Sequence, residues 1–532
     1  MLHPTIGGNV RERVGRIRGV VSQRQTRVWS VRVLEERRAM STGQRLYVKF
    51  ATGTRFYVYD ASSNQILQAS QELWNVIDEY LTTRSEAPAE AAAIVPVAAQ
   101  RDSMDPVCLE IEEGLAHGFL APCNVHSMCL YLDDAELRDA IARQIAHITL
   151  ELTEACNARC HYCPYVRSPQ RCDAPRRMNW ATLTNALALL MSRSSDVAEC
   201  SVSFWGGEPL LELPLMRRAV EHVAREYPNR AVRYQFTTNG TLFSDSAVRF
   251  LIDHDVTVVV SMDGPAVVHD RHRVLSSGKG MFDRIVAGLQ TILREDSDYY
   301  RKRVRFHCVL TPGVDISAVA EFFGRNELCR GHSVTFQPVG STRWFADSYG
   351  TFAKEDQQRL RSAMREEVVA IQHEPSNPLA VAGVRSLLPI ATRPRTQLGT
   401  VISPNGCCVP LLRKMHVAAG GDTYLCERMD HDNRVGNVNH GGISVDAVVD
   451  LVREYCDHGL EDCRSCWAMR LCRTCYRDFM SENKWSAASR AETCDESRSR
   501  IMEALEDYAA VLESNPHAFD HLNRDSDAVS PG

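Results

Sequence analysis

Residues 152–165 read LTEACNARCHYCPY. Cys156, Cys160 and Cys163 are spaced C-x3-C-x2-C and follow the run His147–Thr153, which reads as a strand. Three thiolates on one tight loop can hold three irons of a [4Fe–4S] cube and leave the fourth iron without a protein ligand. Zinc is the other chemistry that clustered cysteines serve, but a structural zinc site takes four ligands and is closed. This loop offers three.

Outward from that loop, strand and helix alternate. Strands are expected at His147–Thr153, Ser201–Trp205, Val232–Thr237, Thr257–Met262, Val304–Leu310 and Ser333–Gln337. Helical patterns intervene near Trp180–Arg193, Leu213–Tyr227, Ser244–Asp255, Phe282–Arg294 and Ile316–Cys329. Apolar runs separated by amphipathic helices predict a parallel sheet with covered faces, and six such units predict a closed or partly closed barrel. Active sites in such folds sit at the C-terminal strand ends.

Polar motifs begin at those ends. SFWGGEPLL (203–211) carries Gly206, Gly207 and Glu208, FTTNGTL (236–242) carries Thr238, Asn239 and Gly240, and VVSMDGP (259–265) carries Ser261 and Asp263. Glycines permit close backbone approach and a carboxylate answers an ammonium. Each motif taken singly also reads as a β–α turn or a helix cap. Tyr162 sets an aromatic ring between the last two cysteines of the loop.

Taken together and in this order, the C-x3-C-x-aromatic-C loop and the three rim motifs resemble the radical S-adenosylmethionine (SAM) superfamily over roughly residues 147–340. The resemblance implies a partial (β/α)6 TIM-like barrel in an α/β chain. It implies that SAM chelates the open iron of the cluster on Cys156, Cys160 and Cys163. Gly206, Gly207 and Glu208 would meet the methionine amine, Ser261 and Asp263 the ribose and carboxylate, and Tyr162, Thr238 and Asn239 would complete the cofactor-binding rim. Reductive cleavage of SAM to a 5′-deoxyadenosyl radical, followed by hydrogen abstraction from substrate, is the implied chemistry.

The C-terminal part is rich in cysteine. Cys408 is followed by twelve residues, Gly421, four residues and Cys426; then comes Cys463-x2-Cys466-x5-Cys472-x2-Cys475 and, after eighteen residues, Cys494. C-x2-C pairs also satisfy zinc ribbons. This segment resembles a SPASM domain, the extension of radical SAM enzymes that binds two auxiliary [4Fe–4S] clusters, although its last pair is C-x2-C where the family has C-x3-C. The resemblance assigns Cys408, Cys426 and Cys475, with Cys407 as a further ligand, to one cluster. It assigns Cys463, Cys466, Cys472 and Cys494 to the other. Glu427, directly after Cys426, matches the position of a proton-accepting Asp in SPASM-type sulfatase maturases; a salt bridge to a neighbour such as Arg428 is the alternative. Cys108, Cys123, Cys129, Cys172, Cys200, Cys308, Cys329 and Cys456 fall outside these spacings and read as buried or incidental thiols.

Ahead of the barrel, Leu46–Phe50 and Arg55–Asp60 flank Thr52-Gly53-Thr54 as a hairpin, and Gln71–Leu81 has helical spacing. With FYVYDASSNQIL, this region resembles the winged-helix-like leader-recognition domain of peptide maturases, which takes an extended leader as an added strand. A capping subdomain without ligand is the alternative. CERM, RVGNV and CRSCWAMRLCRTCY resemble maturases of ribosomally made peptides, those that form thioethers in particular. The expected activity is therefore thioether crosslinking of a precursor peptide, with an electron donor such as a flavodoxin or ferredoxin. A sulfatase-maturase-like protein oxidase, a C–C or C–O crosslinking maturase and a non-enzymatic metal or electron-transfer protein are the alternatives.

The domain expectation is an Arg-rich, disordered extension over 1–44, and a small α+β domain over 45–122. The barrel follows over 140–345, then a helical bridge over 346–404, the SPASM segment over 405–496, and a helix and tail over 497–532. Translation beginning at Met40 is another reading of the first segment. The formal charge of -6, with 24% charged residues, carries no signature of a nucleic-acid binder. The cations are 6 lysines and 55 arginines, a skew that fits coding bias. No run approaches a membrane span, no apolar leader opens the sequence, and nineteen cysteines without export signals suit a reducing compartment, the cytoplasm.

Overall fold

The computed structural model describes residues 44–86, 105–165, 171, 173–340, 343–375, 377–403, 408–429, 433–481 and 484–522. The Arg-rich segment 1–43, the Ala/Pro-rich stretch 87–100, Cys172, Cys407 and the tail 523–532 lie outside the described residues. The chain divides into two compact units, one built on Tyr47–Asp60 and Gln65–Phe119, the other on Ala61–Asn64 and Leu120 onward.

In the first unit, β1 (Tyr47–Ala51), β2 (Phe56–Asp60) and β3 (Gln65–Ala69) form an antiparallel meander in the order β1-β2-β3. The third strand exceeds the expected hairpin. Helices α1 (Gln71–Glu86) and α2 (Pro106–Ala116) accompany it, and Phe50, Val58, Leu73, Ile77 and Ile111 are buried. Asp105 caps α2 by accepting from Val107 N–H at 2.8 Å.

The second unit is organised by β4 (His147–Thr153), β5 (Glu199–Gly206), β6 (Ala231–Thr238), β7 (Thr257–Ser261), β8 (Val304–Leu310) and β9 (Val334–Pro338). They pair in chain order, all parallel. Between them run α3 (Trp180–Ser192), α4 (Leu213–Glu226), α5 (Asp245–Asp253), α6 (Ala266–His272), α7 (Phe282–Glu295) and α8 (Ile316–Arg325). Three of these helices begin on the caps their sequences supply: Asn179, Ser244 and Asp315 accept from Thr182, Ala247 and Ala318 N–H at 2.8, 3.2 and 3.0 Å.

Strand β4 explains how one sheet has a core face and a functional face. Ile148, Leu150 and Leu152 are fully buried in the core that contains Leu183, Leu187, Val202 and Phe204. The alternate residues His147, Thr149, Glu151 and Thr153 point to the other face, because successive side chains of a strand alternate. A parallel strand covered by helices on both faces reads as continuously apolar. The polar alternation of β4 marks its second face as a polar interior.

The sheet does not end at β4. Beyond α9 (Lys354–Val369) and α10 (Pro378–Ala391), β10 (Met415–Val417) pairs parallel with β4, aligning Met415, His416 and Val417 with Ile148, Thr149 and Leu150. Then β11 (Asp422–Tyr424), β12 (Gly436–Asn437) and β13 (Gly442–Ile443) continue it antiparallel. The stretch expected to be turn-rich also contains α11 (Val445–Cys463), and α12 (Ala487–Ser514) starts well before its expected first turn, which places Cys494 on a helix. Among the described residues, no helix is long and apolar enough to cross a membrane.

Candidate functional site

The cysteine loop leaves β4 at Thr153 and is clamped on two sides. On one side, Gly207 N–H donates to Thr153 C=O at 2.8 Å and Glu208 N–H to Ala155 C=O at 2.9 Å. This approach excludes side chains: a Cβ on Gly206 would lie 2.2 Å from Thr153 O, and one on Gly207 2.2 Å from Ala155 O. On the other side, Arg159 N–H donates to Val274 C=O and His161 N–H to His272 C=O, both at 2.8 Å. Glu154 braces the start of the loop through Arg176, whose Nε and Nη2 donate to Oε1 at 3.0 and 2.7 Å. Cys163 N–H closes a turn on Cys160 C=O at 3.1 Å.

Burial pushes the Cys156 thiol up to about 12 and Cys160 to about 11. Thiolates at such positions are disfavoured until a cationic centre binds them, and metal binding then releases the proton. Beside the loop, His161 Nδ1 and His272 Nδ1 are buried with no hydrogen-bond partner among the described residues. A loop fixed at its backbone, with three thiols and orphaned polar atoms beside them, fits an iron–sulfur cluster and its ligand.

The rim residues gather around the loop, and two carboxylates hold them together. Glu208 is fully buried; Oε1 accepts from Leu210 N–H (3.0 Å) and Thr238 Oγ1 (2.8 Å), and Oε2 from Asn239 N–H (2.8 Å). Burial pushes its carboxyl up to about 7, against the pull of those donors. These three donors leave one lone-pair position of the carboxylate open on Oε2, and through them Glu208 ties the second rim motif to the third. Asp263 likewise accepts from Tyr162 Oη (2.5 Å) and Arg273 Nε (2.9 Å) on Oδ2, and from Val309 N–H (2.9 Å) on Oδ1. Burial opposes its ionisation, yet the Arg273 guanidinium holds it below the usual carboxylate range. Asp263 thereby joins the cysteine loop, the segment after α6 and β8, with one lone-pair position left on Oδ1. Asn239 Nδ2 donates to Asn157 Oδ1 at 2.8 Å and lies 3.8 Å from Cys156 Sγ, so the third motif touches the loop directly. Ser261 is buried at the end of β7.

The polar interior holds residues that sequence reasoning missed. Ser203 Oγ lies 3.1 Å from His147 Nε2 and accepts from Gln235 Nε2 at 2.8 Å. Trp205 meets His416 edge-on at 5.5 Å and Tyr165 at 5.9 Å, and the Arg171 guanidinium stacks over the Tyr165 ring at 4.1 Å while pairing with the buried Glu151 at 2.9 Å. Burial lowers His147 to about 4, so it is neutral at pH 7. Polar residues at every second position of β4 were the available signal.

Glu427 closes the far end of this interior. Its Oε1 accepts from Lys414 Nζ at 2.6 Å, whereas Oε2 is buried without a partner. Burial resists its ionisation, but the Lys414 ammonium outweighs that and holds the carboxyl below its ordinary range. The salt bridge to Arg428 is thereby corrected to one with Lys414, which stands one residue before the β10 register with β4.

Among the C-terminal cysteines, Cys408, Cys426 and Cys475 are neighbours of Tyr476, and Cys466, Cys472 and Cys494 are neighbours of Cys463. Cys408 Sγ lies 3.9 Å from the Tyr476 hydroxyl, which also feels Cys475 and Cys426. Burial first, then Cys466, Cys472 and Cys494, pushes Cys463 up to about 12. Gly421, at φ +95°, makes the turn ahead of Cys426, and a Cβ there would sit 2.5 Å from Asn439 Nδ2. Cys200, Cys308, Cys329 and Cys456 are buried in the core. Among the described residues, no group of three or more His, Cys, Asp or Glu side chains is already drawn together as a metal-ion site.

A cysteine loop at the C-terminal end of the first of six parallel strands, with its rim motifs on the strands that follow, defines a radical SAM domain. Residues 150–324 match the radical SAM superfamily, and that segment is the radical SAM domain of this chain. A cysteine-type anaerobic sulfatase-maturating enzyme of Clostridium novyi (strain NT) is 29% identical over 150 residues, which are 27% of this chain and 39% of that one. The radical SAM cyclopropyl synthase TigE of Paramaledivibacter caminithermalis is 26% identical over 179 residues, 32% of this chain and 36% of that one. The matched segment thus spans well under half the length of these curated relatives. The fold is similar to that of native anSMEcpe with bound AdoMet and Cp18Cys peptide, with a TM-score of 0.51 at 19% identity over 70% of this chain and 99% of that one.

Proposed function

We propose that this chain is a radical SAM maturase that forms a thioether crosslink, from a cysteine sulfur to a carbon, in a ribosomally made peptide. The observation that carries the reading is the second end of the interior: Glu427 presents a buried, unpartnered oxygen beside Cys426, on a strand system joined to the first barrel strand. Cys156, Cys160 and Cys163 would hold the cluster that binds SAM. Cys408, Cys426 and Cys475 with Cys407, and Cys463, Cys466, Cys472 and Cys494, would hold two auxiliary clusters in a SPASM-type domain over 405–496. Bound there, these groups supply the 5′-deoxyadenosyl radical and accept the electron left over, with a flavodoxin or ferredoxin as the reducing donor.

The chain's own residues do the rest. The loop clamps keep the thiols fixed, Gly206 and Gly207 let the rim approach the loop, and Ser261, Thr238 and Asn239 line the mouth. The core around the sheet shields the interior from water, which protects a radical from side reactions. Glu427 Oε2 accepts the proton of the substrate thiol as the sulfur–carbon bond forms, while Lys414 keeps Oε1 occupied. The three-stranded sheet of the first unit has β1 and β3 as its outer strands among the described residues, which suits a leader peptide added as a strand.

The name of the Clostridium novyi relative favours a second reading, oxidation of a cysteine in a protein. Mass spectrometry separates the two: a thioether joins two residues in the fragment spectrum, and oxidation joins none. Anaerobic reconstitution of the full chain should give about twelve irons, four for each of three clusters. Dithionite should then yield 5′-deoxyadenosine from SAM; a zinc-only protein that forms none would sink the proposal.

A further inference from the structure

Residues 272–275 run antiparallel to the cysteine loop. Because His161 and Arg159 N–H donate to His272 and Val274 C=O, Arg273 stands directly across from Cys160. Its side chain is buried, its Nε donates to Asp263 at 2.9 Å, and its guanidinium lies over the Tyr162 ring at 5.3 Å. A buried cation has thus been set against the middle cysteine of the loop, held from below by a buried anion.

The two charges do not cancel at the cysteine. Asp263 shares its charge among three donors, Tyr162 Oη, Arg273 Nε and Val309 N–H. Arg273 is the charged residue directly across the ladder from Cys160, whereas Asp263 is joined to the loop through Arg273 and Tyr162. Charges act at longer range and with less screening in such a site than at the surface. A group that gains an electron becomes more negative, so a fixed cation beside it favours the reduced form.

We propose that Arg273 is a positioning residue whose buried positive charge, fixed opposite Cys160 by the antiparallel ladder and by Asp263, makes the cluster of the Cys156, Cys160 and Cys163 loop easier to reduce. It acts through the loop. Asp263 has two opposing parts in this arrangement: it anchors the cation, and its own charge partly offsets it.

The test is an EPR-monitored redox titration of the reconstituted full-length protein, following the signal that changes on adding SAM, with iron counted in every sample. Arg273→Met should lower the reduced-to-oxidised ratio at a fixed potential about tenfold, about 59 mV for one electron. Asp263→Asn, which removes the anion and keeps an acceptor for Arg273, should raise that ratio. Arg273→Lys should restore most of the wild-type value. Shifts of opposite sign are the signature of charge, because a purely structural role moves both variants the same way, through loss of iron. Full iron with an unmoved potential in Arg273→Met, or cluster loss in both neutral variants while Arg273→Lys assembles normally, would overturn the proposal. The inference rests on the cluster reading of the loop, and the two fail differently: a wild-type protein with no SAM-responsive signal sinks that reading, whereas an assembled but unshifted cluster sinks only the role of Arg273.

Discussion

Replacing Gly207 by alanine adds one methyl group where the rim motif meets the cysteine loop. The new Cβ would stand 2.2 Å from Ala155 O, 2.5 Å from Ala155 C and 2.7 Å from Glu154 O, all backbone atoms that cannot rotate away. A carbon–oxygen contact relaxes near ~3.3 Å, so the loop and the rim must part by roughly 1 Å. That separation breaks or stretches the bonds from Gly207 N to Thr153 O and from Glu208 N to Ala155 O. Two backbone hydrogen bonds at about 0.5–1.5 kcal/mol each, with overpacking at about 1–3 kcal/mol, give a loss of about 2–6 kcal/mol. Because Cys156 follows Ala155, the same movement carries the first thiol out of place. A displacement of about 1 Å costs on the order of a hundredfold in a positioned site. The assay is denaturant unfolding together with iron and 5′-deoxyadenosine measured after reconstitution. Gly207→Ala should lose about four of about twelve irons and most SAM cleavage, whereas Gly340→Ala, with nothing within 4 Å of its added Cβ, should behave as wild type. Full iron and undiminished cleavage in Gly207→Ala would show that the loop does not depend on this approach.

Other perturbations separate the remaining parts. Glu427→Gln should keep 5′-deoxyadenosine formation but lose crosslinked product on a peptide that the wild type modifies; Lys414→Met, which frees Oε1, should lower product with cleavage intact, both read by mass spectrometry. Cys494→Ala should remove about four irons and leave the SAM-responsive EPR signal in place. Glu208 titrates near 7 in the fold, against an ordinary 4.5, and burial is the chief cause. An acid whose folded pKa is raised binds its proton more tightly in the native state, so its contribution favours folding below about 4.5 and is lost as pH rises through about 7. Stability measured from pH 4.5 to 7.5 should therefore fall more steeply in wild type than in Glu208→Gln, and parallel curves would refute the assignment.

Much of this was legible in the sequence because the signals were local. The six parallel strands fall within one or two residues of their expected positions, since each is a β-rich run, apolar at least at alternate positions and bounded by turns. The cysteine loop and the glycines were legible because their spacing carries chemistry. What escaped was of three kinds. β10 is three residues long, too short for any periodicity, and only its partner β4 makes it a strand. α11 has a clear helical pattern in Val448, Val449, Val452, Tyr455 and Cys456 behind the Ser444 cap, but the dense cysteines around it dominated the reading. The surroundings of Glu208 and Asp263 are set by donors from the end of β6, the stretch after α6 and strand β8, segments that sequence spacing does not bring together.

The short strand β10 bears on function through register. Pairing His416 with Thr149 places both side chains on one face, so His416 meets Trp205 inside while Met415 and Val417 join Ile148 and Leu150 in the core. A slip of one residue would reverse every one of these, turning two apolar side chains into the polar interior and His416 into the core. The core therefore enforces the register, and the register in turn sets Lys414 one position ahead of the paired residues, at the level of His147. Lys414 is the group that fixes Glu427. The placement of the candidate proton acceptor is thus secured by ordinary hydrophobic burial of Met415 and Val417, each fully buried, at about 1.5–3 kcal/mol for such a side chain. Met415→Asp should accordingly disturb product formation through Glu427 and leave the SAM loop, at the opposite end of β4, able to take up its iron; loss of that iron as well would show that β10 supports the whole sheet instead of one end of it.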